Sequence, residues 1–270
     1  MSSLVEDTVA AAPAALARSS SADTHVLKQL GEGNEWYVGD QFAWASRPGI
    51  RRIYEGRERF LRECIARTQG RLGRDVRLLD AGCGDGYWLR RLGGIDGLEL
   101  TGVDYNPVRV ARARRAAPGA RVEQTDLCNL GLCRSFDIVL LNQVVEHVAD
   151  DVGLLRALRR VLNPGGALVL GTCNEGSPIQ LRQVRRRGPE ATDHVHFYTE
   201  REIRRKLRLA GYRVRGVMRE VFYFFNDRLY YRLIRGRTGF GFLKVLTRLF
   251  PSGCSDYYFE CAPTRSDARQ

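Results

Sequence analysis

Short apolar runs alternate along this chain with stretches of helical spacing. Val76, Leu78 and Leu79, then Leu98 to Val103, Ala120 to Leu127, Phe136 to Leu141 and Ala167 to Leu170 read as buried strands. Between them, Tyr87 to Leu92, Leu154 to Leu162 and Glu200 to Ala210 repeat apolar positions at helical intervals. Thr199 is placed to cap the last of these helices, with Glu202 three residues on. Asn163-Pro164-Gly165-Gly166 and Gly211 are stop signals, after which Tyr212 to Val214 and Asp256 to Cys261 read as further strands. Strand and helix alternating from residue 50 to about 220 predict a parallel sheet covered on both faces.

The first strand runs into Asp80-Ala81-Gly82-Cys83-Gly84-Asp85-Gly86, a glycine turn followed at once by helical spacing. Glycines free the backbone to turn sharply, and the unit is expected to aim backbone N–H groups and a helix N-terminus at a ligand. The spacing is neither Gly-x-Gly-x-x-Gly nor a P-loop, and Asp80 and Asp85 would repel a pyrophosphate. They suit a ligand with a cationic end. The second strand ends in Asp104, placed to accept from a ribose diol, because parallel strands end at one carboxyl edge. The third ends in Asp126, and the fourth in Asn142, followed by Gln143. One acid after a strand is ordinarily a turn or cap residue. Three in register behind a glycine turn point to a cofactor.

Leu78 to Gly86 resembles the first motif of the class I S-adenosylmethionine-dependent methyltransferases, and the resemblance covers roughly residues 50 to 220 and residue 256 onward. It implies a doubly wound, Rossmann-like α/β fold with a seven-stranded sheet, mostly parallel with the last strand antiparallel, and S-adenosyl-L-methionine as cofactor. It implies a cofactor site of Asp80, Ala81, Gly82, Cys83, Gly84, Asp104, Tyr105, Asp126, Leu127, Asn142 and Gln143, with Asp104 on the ribose, Tyr105 lining the adenosine and Asp126 on the adenine amino group.

Residues 51–221 are read as the methyltransferase core and 255–270 as its last strand and tail. Residues 1–24, rich in Ala and Ser without a basic leader, are expected to be a disordered tail. Residues 25–50, with Trp36 and Tyr37, could lie over the cofactor as a lid. Residues 222–254 form a helical cap insertion in which Phe222, Tyr223 and Tyr230 wall the acceptor and interleaved arginines face solvent. A dimer face or contact with an anionic membrane surface is the alternative use of this basic, amphipathic segment. No run of eighteen apolar residues exists, so no transmembrane helix is expected. Seven cysteines in odd number, without a Cys-x-x-Cys or a His-paired cluster, predict reduced thiols in the cytoplasm and no metal.

The net charge of +12 raises nucleic acid as a partner. Only Lys28, Lys206 and Lys244 are lysines, an arginine bias that codon usage produces alone, and a small molecule or glycan is the expected acceptor. Of four histidines, His25 falls in the tail; His147, His194 and His196 are candidate general bases. The expected function is methyl transfer to oxygen, or else nitrogen, of a small-molecule, natural-product or glycan acceptor. The alternatives are an RNA methyltransferase and a non-catalytic cofactor-binding subunit.

Overall fold

The computed structural model describes residues 41–130, 134–187, 194–224 and 226–264. The expected tail, most of the lid segment with Trp36 and Tyr37, and His25 lie outside these residues. The helices are α1 (Gln41–Ser46), α2 (Ile50–Leu72), α3 (Tyr87–Leu92), α4 (Pro107–Ala116), α5 (Asp151–Arg160), α6 (Pro178–Arg187), α7 (Glu200–Leu209), α8 (Asp227–Arg235) and α9 (Arg237–Leu249). The strands are β1 (Val76–Ala81), β2 (Leu98–Asp104), β3 (Arg121–Gln124), β4 (Phe136–Asn142), β5 (Leu162–Cys173), β6 (Tyr212–Arg219) and β7 (Asp256–Pro263). Chain contacts divide the molecule after Trp44, and the whole sheet with helices α2 to α9 belongs to the unit from Ala45 onward.

Seven strands form one sheet in the order β3-β2-β1-β4-β5-β7-β6, with β1 to β5 parallel and β7 antiparallel to both neighbours. The order reverses between β1 and β4, and in such open sheets ligands bind outside the carboxyl ends of the strands at that point. Because β7 runs against β5 and β6, its first residue, Asp256, shares that edge with the ends of β4, β5 and β6. Leu79, Ala81, Val139, Leu141, Leu168 and Leu170 are wholly buried, as strands covered on both faces require.

Local chemistry sets the helix starts at this edge. Asn106 caps α4 by accepting from Val108 N at 3.0 Å and Arg109 N at 3.2 Å, with Pro107 in the first turn. Thr199 and Glu202 form a reciprocal capping box on α7. Three expectations need correction. Strand β3 stops at Gln124, because the Asp126 side chain turns back to accept from Cys128 N at 2.9 Å and caps a 3₁₀ turn. Strand β5 begins at Leu162, so Pro164-Gly165-Gly166 lies within an irregular strand start rather than before it. Helix α3 has only six residues, too short to present a helix dipole.

Helices α8 and α9 fill the connection between β6 and β7 and pack on each other, with Tyr230, Ile234, Leu243 and Thr247 inward. The expected clean division into an apolar inner face and a basic outer face is not what forms. Phe242, Val245 and Leu249 are exposed on α9 alongside the arginines.

Candidate active site at the carboxyl edge

The glycine turn is tied to the protein more than it is aimed at a ligand. Gly82 and Gly84 adopt φ of 80° and 53°. A Cβ on Gly82 would lie 2.4 Å from the Val144 side chain, and one on Gly84 2.6 Å from the Arg109 guanidinium. Gly82 N and Cys83 N both donate to Val103 O, at 2.8 and 2.9 Å, and Gly86 N donates to Cys83 O at 3.0 Å. Gly84 N donates to Asp104 Oδ2 at 2.9 Å. The expectation of loop amides turned to a ligand is thereby corrected for these positions. Cys83 is a buried filler whose sulfur would meet a side chain at Gly102.

Carboxylates stand at the ends of the first two strands. Asp104 is held by Gly84 N and, at 2.9 Å, by Asn106 N, one amide on each oxygen, which leaves further lone pairs on both. Asp80 is 1% exposed, and its Oδ2 accepts no hydrogen bond from the described residues. Burial, and then the nearby Asp104, push its pKa up to about 8. Such a carboxyl is satisfied by a proton or by a cation. Asp85, read from sequence as a second acid for a cationic ligand, is instead committed to Arg109 at 3.2 Å and Arg112 at 3.8 Å. Tyr105 is half-buried, Leu127 is buried, and Asp126 is exposed beyond β3.

At the switch point β4 ends in a strained turn. Gln143 has φ 55°, the one non-glycine residue with positive φ among those described. Its backbone N–H donates to Gly171 O at 2.9 Å, its Nε2 donates to Asp256 Oδ1 at 3.1 Å, and its Oε1 accepts from Cys173 Sγ at 2.8 Å. Asn142 Oδ1 accepts from the Tyr258 hydroxyl.

Beyond Gln143 lies a buried charged network that sequence reading missed. Arg57, from α2, pairs with both oxygens of Glu220 at 2.5 and 2.9 Å and approaches Asp256 at 3.4 Å. Its guanidinium also lies 5.1 Å from the Tyr54 ring centre and 5.2 Å from that of Tyr258. Ser255 Oγ donates to Glu220 at 3.4 Å. Glu220 is raised to about 7, chiefly by burial; Arg57 works against this shift and Asp256 adds to it. The available signal was an arginine in the apolar stripe of α2, between Tyr54 and Leu61. Of the cap residues, Tyr230 is buried and packs at 4.9 Å on Tyr223; burial first, and then the same two acids, lift its hydroxyl pKa. Phe222 packs on Phe224, Phe250 and Gly253.

Two candidate histidines meet and the third does not join them. The rings of His147 and His194 lie 4.7 Å apart at 78°, and His194 Nδ1 contacts Glu175 Oε2 at 2.5 Å. His196 Nε2 reaches Ala149 O at 3.1 Å and its ring stacks on Tyr198.

Residues 53–217 match the family model described as "Methyltransferase domain". A ubiquinone biosynthesis O-methyltransferase of Cereibacter sphaeroides is 32% identical over 148 residues, covering 50% of this chain and 60% of its own length. One from Azorhizobium caulinodans is 32% identical over 187 residues, covering 60% of this chain and 71% of its own. Among solved structures, an S-adenosylmethionine-dependent methyltransferase from Mesorhizobium loti superposes with a TM-score of 0.51 at 21% identity, over 70% of this chain and 91% of that one. The [4+2]-cyclase SpnF gives 0.50 at 18%, over 72% and 77%, so this fold is shared by proteins named for different reactions. A family match over more than half of the chain, on a sheet whose switch point carries the glycine turn and strand-end acids, makes this protein a member of the class I S-adenosylmethionine-dependent methyltransferases.

Proposed function

We propose that the protein transfers a methyl group from S-adenosyl-L-methionine to an oxygen of a small hydroxylated acceptor held at the carboxyl edge beside Gln143. Bound there, the cofactor supplies an electrophilic methyl on a sulfonium. Asp104 accepts from the ribose hydroxyls, Asp126 from the adenine amino group, and Tyr105 and Leu127 line the adenosine. Asp80 faces the cationic methionine end, and the small residues Ala81, Gly82, Cys83 and Gly84 admit the ligand. The buried Asp80, whose Oδ2 accepts no hydrogen bond from the described residues, supports this assignment, since a cationic ligand supplies the charge it lacks.

The acceptor reading rests on one observation, the Arg57–Glu220–Asp256 network. Two carboxyls against one guanidinium leave an excess negative charge, and Glu220, raised to about 7, takes up a proton near neutrality. Glu220 is fastened to Arg57, whereas Asp256, 14% exposed at the side chain, is the reachable member. Asp256 orients the acceptor hydroxyl and takes its proton as the oxygen attacks the methyl. Tyr230 stands against the same network as the wall of the acceptor pocket, with Tyr223 packed on it. The relatives named for ubiquinone biosynthesis support oxygen and a small molecule. Nitrogen is the second reading, favoured by the same excess negative charge, which attracts an amine.

The experiment is methyl transfer from radiolabelled cofactor to a panel of polyphenols, hydroxylated quinols, amino sugars and transfer RNA, with the product linkage read by mass spectrometry. We expect O-methylation of a small acceptor, on a pH profile whose acid limb lies near 7 and moves down in Glu220→Gln. Product confined to RNA, or an acid limb that stays in place in Glu220→Gln, overturns the reading.

A further inference from the structure

The turn after Gln143 carries a second buried acid that the proposed methyl transfer leaves unexplained. Glu146 is 1% exposed, and its Oε2 accepts from Thr172 Oγ1 at 3.2 Å. Its Oε1, also buried, accepts no hydrogen bond from the described residues. A buried carboxyl in that state is satisfied by a proton or by a cation. The groups around it are imidazoles. One ligand atom each from Glu146, His147 and His194 lies within 4.8 Å of the others.

The chain fastens these three together. Val195 N and His196 N donate to Glu146 O at 2.9 and 3.1 Å, which docks the His194 segment onto the turn that holds Glu146 and His147. The Glu175 carboxylate accepts from His194 Nδ1 at 2.5 Å. In the neutral ring this puts the lone pair on Nε2, and a carboxylate on the far nitrogen is the usual support of a metal-binding histidine.

We propose that Glu146, His147 and His194 bind a divalent first-row transition cation of the zinc class. Two imidazoles and one carboxylate are a ligand set for such ions, with a fourth position left for solvent or substrate. Ligand bonds near 2.1 Å place tetrahedral ligand atoms about 3.4 Å apart, so the three groups need to close by only about 1.4 Å at most. The ion neutralises Glu146, and the sequence could not announce the site, because His147 and His194 come from distant segments that meet at Glu146. Cation binding does not depend on the methyltransferase reading, whose acceptor hydroxyl is held at Asp256.

The test uses the full chain without an affinity tag, dialysed against chelator and titrated with Zn²⁺ by calorimetry, and with Co²⁺ by visible absorption. One equivalent of Zn²⁺ per chain and a tetrahedral Co²⁺ spectrum are expected. His194→Ala and His147→Ala should each weaken Zn²⁺ at least tenfold, and Glu175→Gln, which touches only a ligand, about 10- to 100-fold. Each variant is checked for folding by thermal unfolding and by S-adenosylhomocysteine binding. Absence of stoichiometric uptake by the wild-type chain overturns the proposal, as does unchanged affinity in folded His194→Ala. Zinc uptake by a chain that binds no S-adenosylhomocysteine keeps the metal site and removes the cofactor assignment instead.

Discussion

Asp80 carries a cost that, on the proposed function, the cationic cofactor relieves. Its folded pKa of about 8 stands above the ordinary carboxylate value, so between about pH 4 and 8 the folded chain holds a proton that the unfolded chain has lost. Stability from this group is therefore complete below about pH 4 and is lost as pH rises through 8; Glu220 adds a slope of the same sign that ends near 7. Asp80→Asn should make the cofactor-free chain more stable at pH 8 by several kcal/mol, up to about 5 from a shift of roughly four pH units at about 1.4 kcal/mol each and on the order of 10 °C in Tm, and change it little at pH 4. Thermal unfolding across pH checks this, and equal Tm shifts at both pH values would contradict it. Binding of S-adenosylmethionine to wild type should release a proton from Asp80 at pH 7, read by calorimetry in two buffers of different ionisation enthalpy. Burial raises the Asp104 pKa as well, but Arg109 and the amides on its two oxygens hold that rise back. Asp104→Ala should weaken S-adenosylhomocysteine by about 2–3 kcal/mol, roughly 30- to 150-fold, through loss of charge-assisted bonds to the ribose. Unchanged affinity in the folded variant removes Asp104 from the cofactor site.

Between elements, the same side chains that shape the edge also hold it together. Arg57 ties α2 to the end of β6 and the start of β7, and Tyr54, one turn earlier, stacks on Trp88 of α3 at 5.9 Å and meets Tyr87 edge-on at 4.9 Å. Arg57→Ala leaves two buried carboxyls without their cation, at an expected cost of about 3–5 kcal/mol in urea unfolding. Glu220→Gln on that background should recover part of the loss, whereas additive losses would mean that the two are uncoupled. This layer also marks where sequence reading stops. The glycine turn, Asp80, Asp104 and Gln143 were legible because each sits in or directly after a strand, where local pattern and edge position coincide. Arg57, Glu220 and Asp256 were not, since a helix, a strand end and a strand start far apart in the chain meet only through the antiparallel insertion of β7 between β5 and β6. Gln143 was named for its place in the motif, but its left-handed backbone follows from the hydrogen bonds to Gly171, Cys173 and Asp256, which no local pattern encodes.

For the whole molecule, the question left by composition is whether a net charge of +12 serves a polyanionic acceptor. Part of the arginine is used within the fold: Arg57 on Glu220, Arg74 on Asp137, Arg91 on Glu58, Arg109 on Asp85 and Arg219 on Glu200. These pairs brace helices and loops against the sheet and take those guanidiniums out of competition for phosphate. No helix among the described residues is long and apolar enough to cross a membrane, so the exposed arginines of α8 and α9 flank no spanning segment there. The edge where Asp80, Asp104, Glu220 and Asp256 gather is acidic, the opposite of a phosphate-tracking groove. The two acceptor classes then separate by salt. An enzyme that grips RNA through several phosphates loses on the order of 10³-fold or more in affinity between 50 and 200 mM salt. A small neutral acceptor held by Asp256 and flanking tyrosines releases few counterions, so its KM should change by less than about twofold over that range. Steady-state kinetics with the best acceptor from the panel at both salt concentrations decide it. A KM that climbs steeply with salt would move the acceptor from the acidic edge to the arginine-rich outer surface.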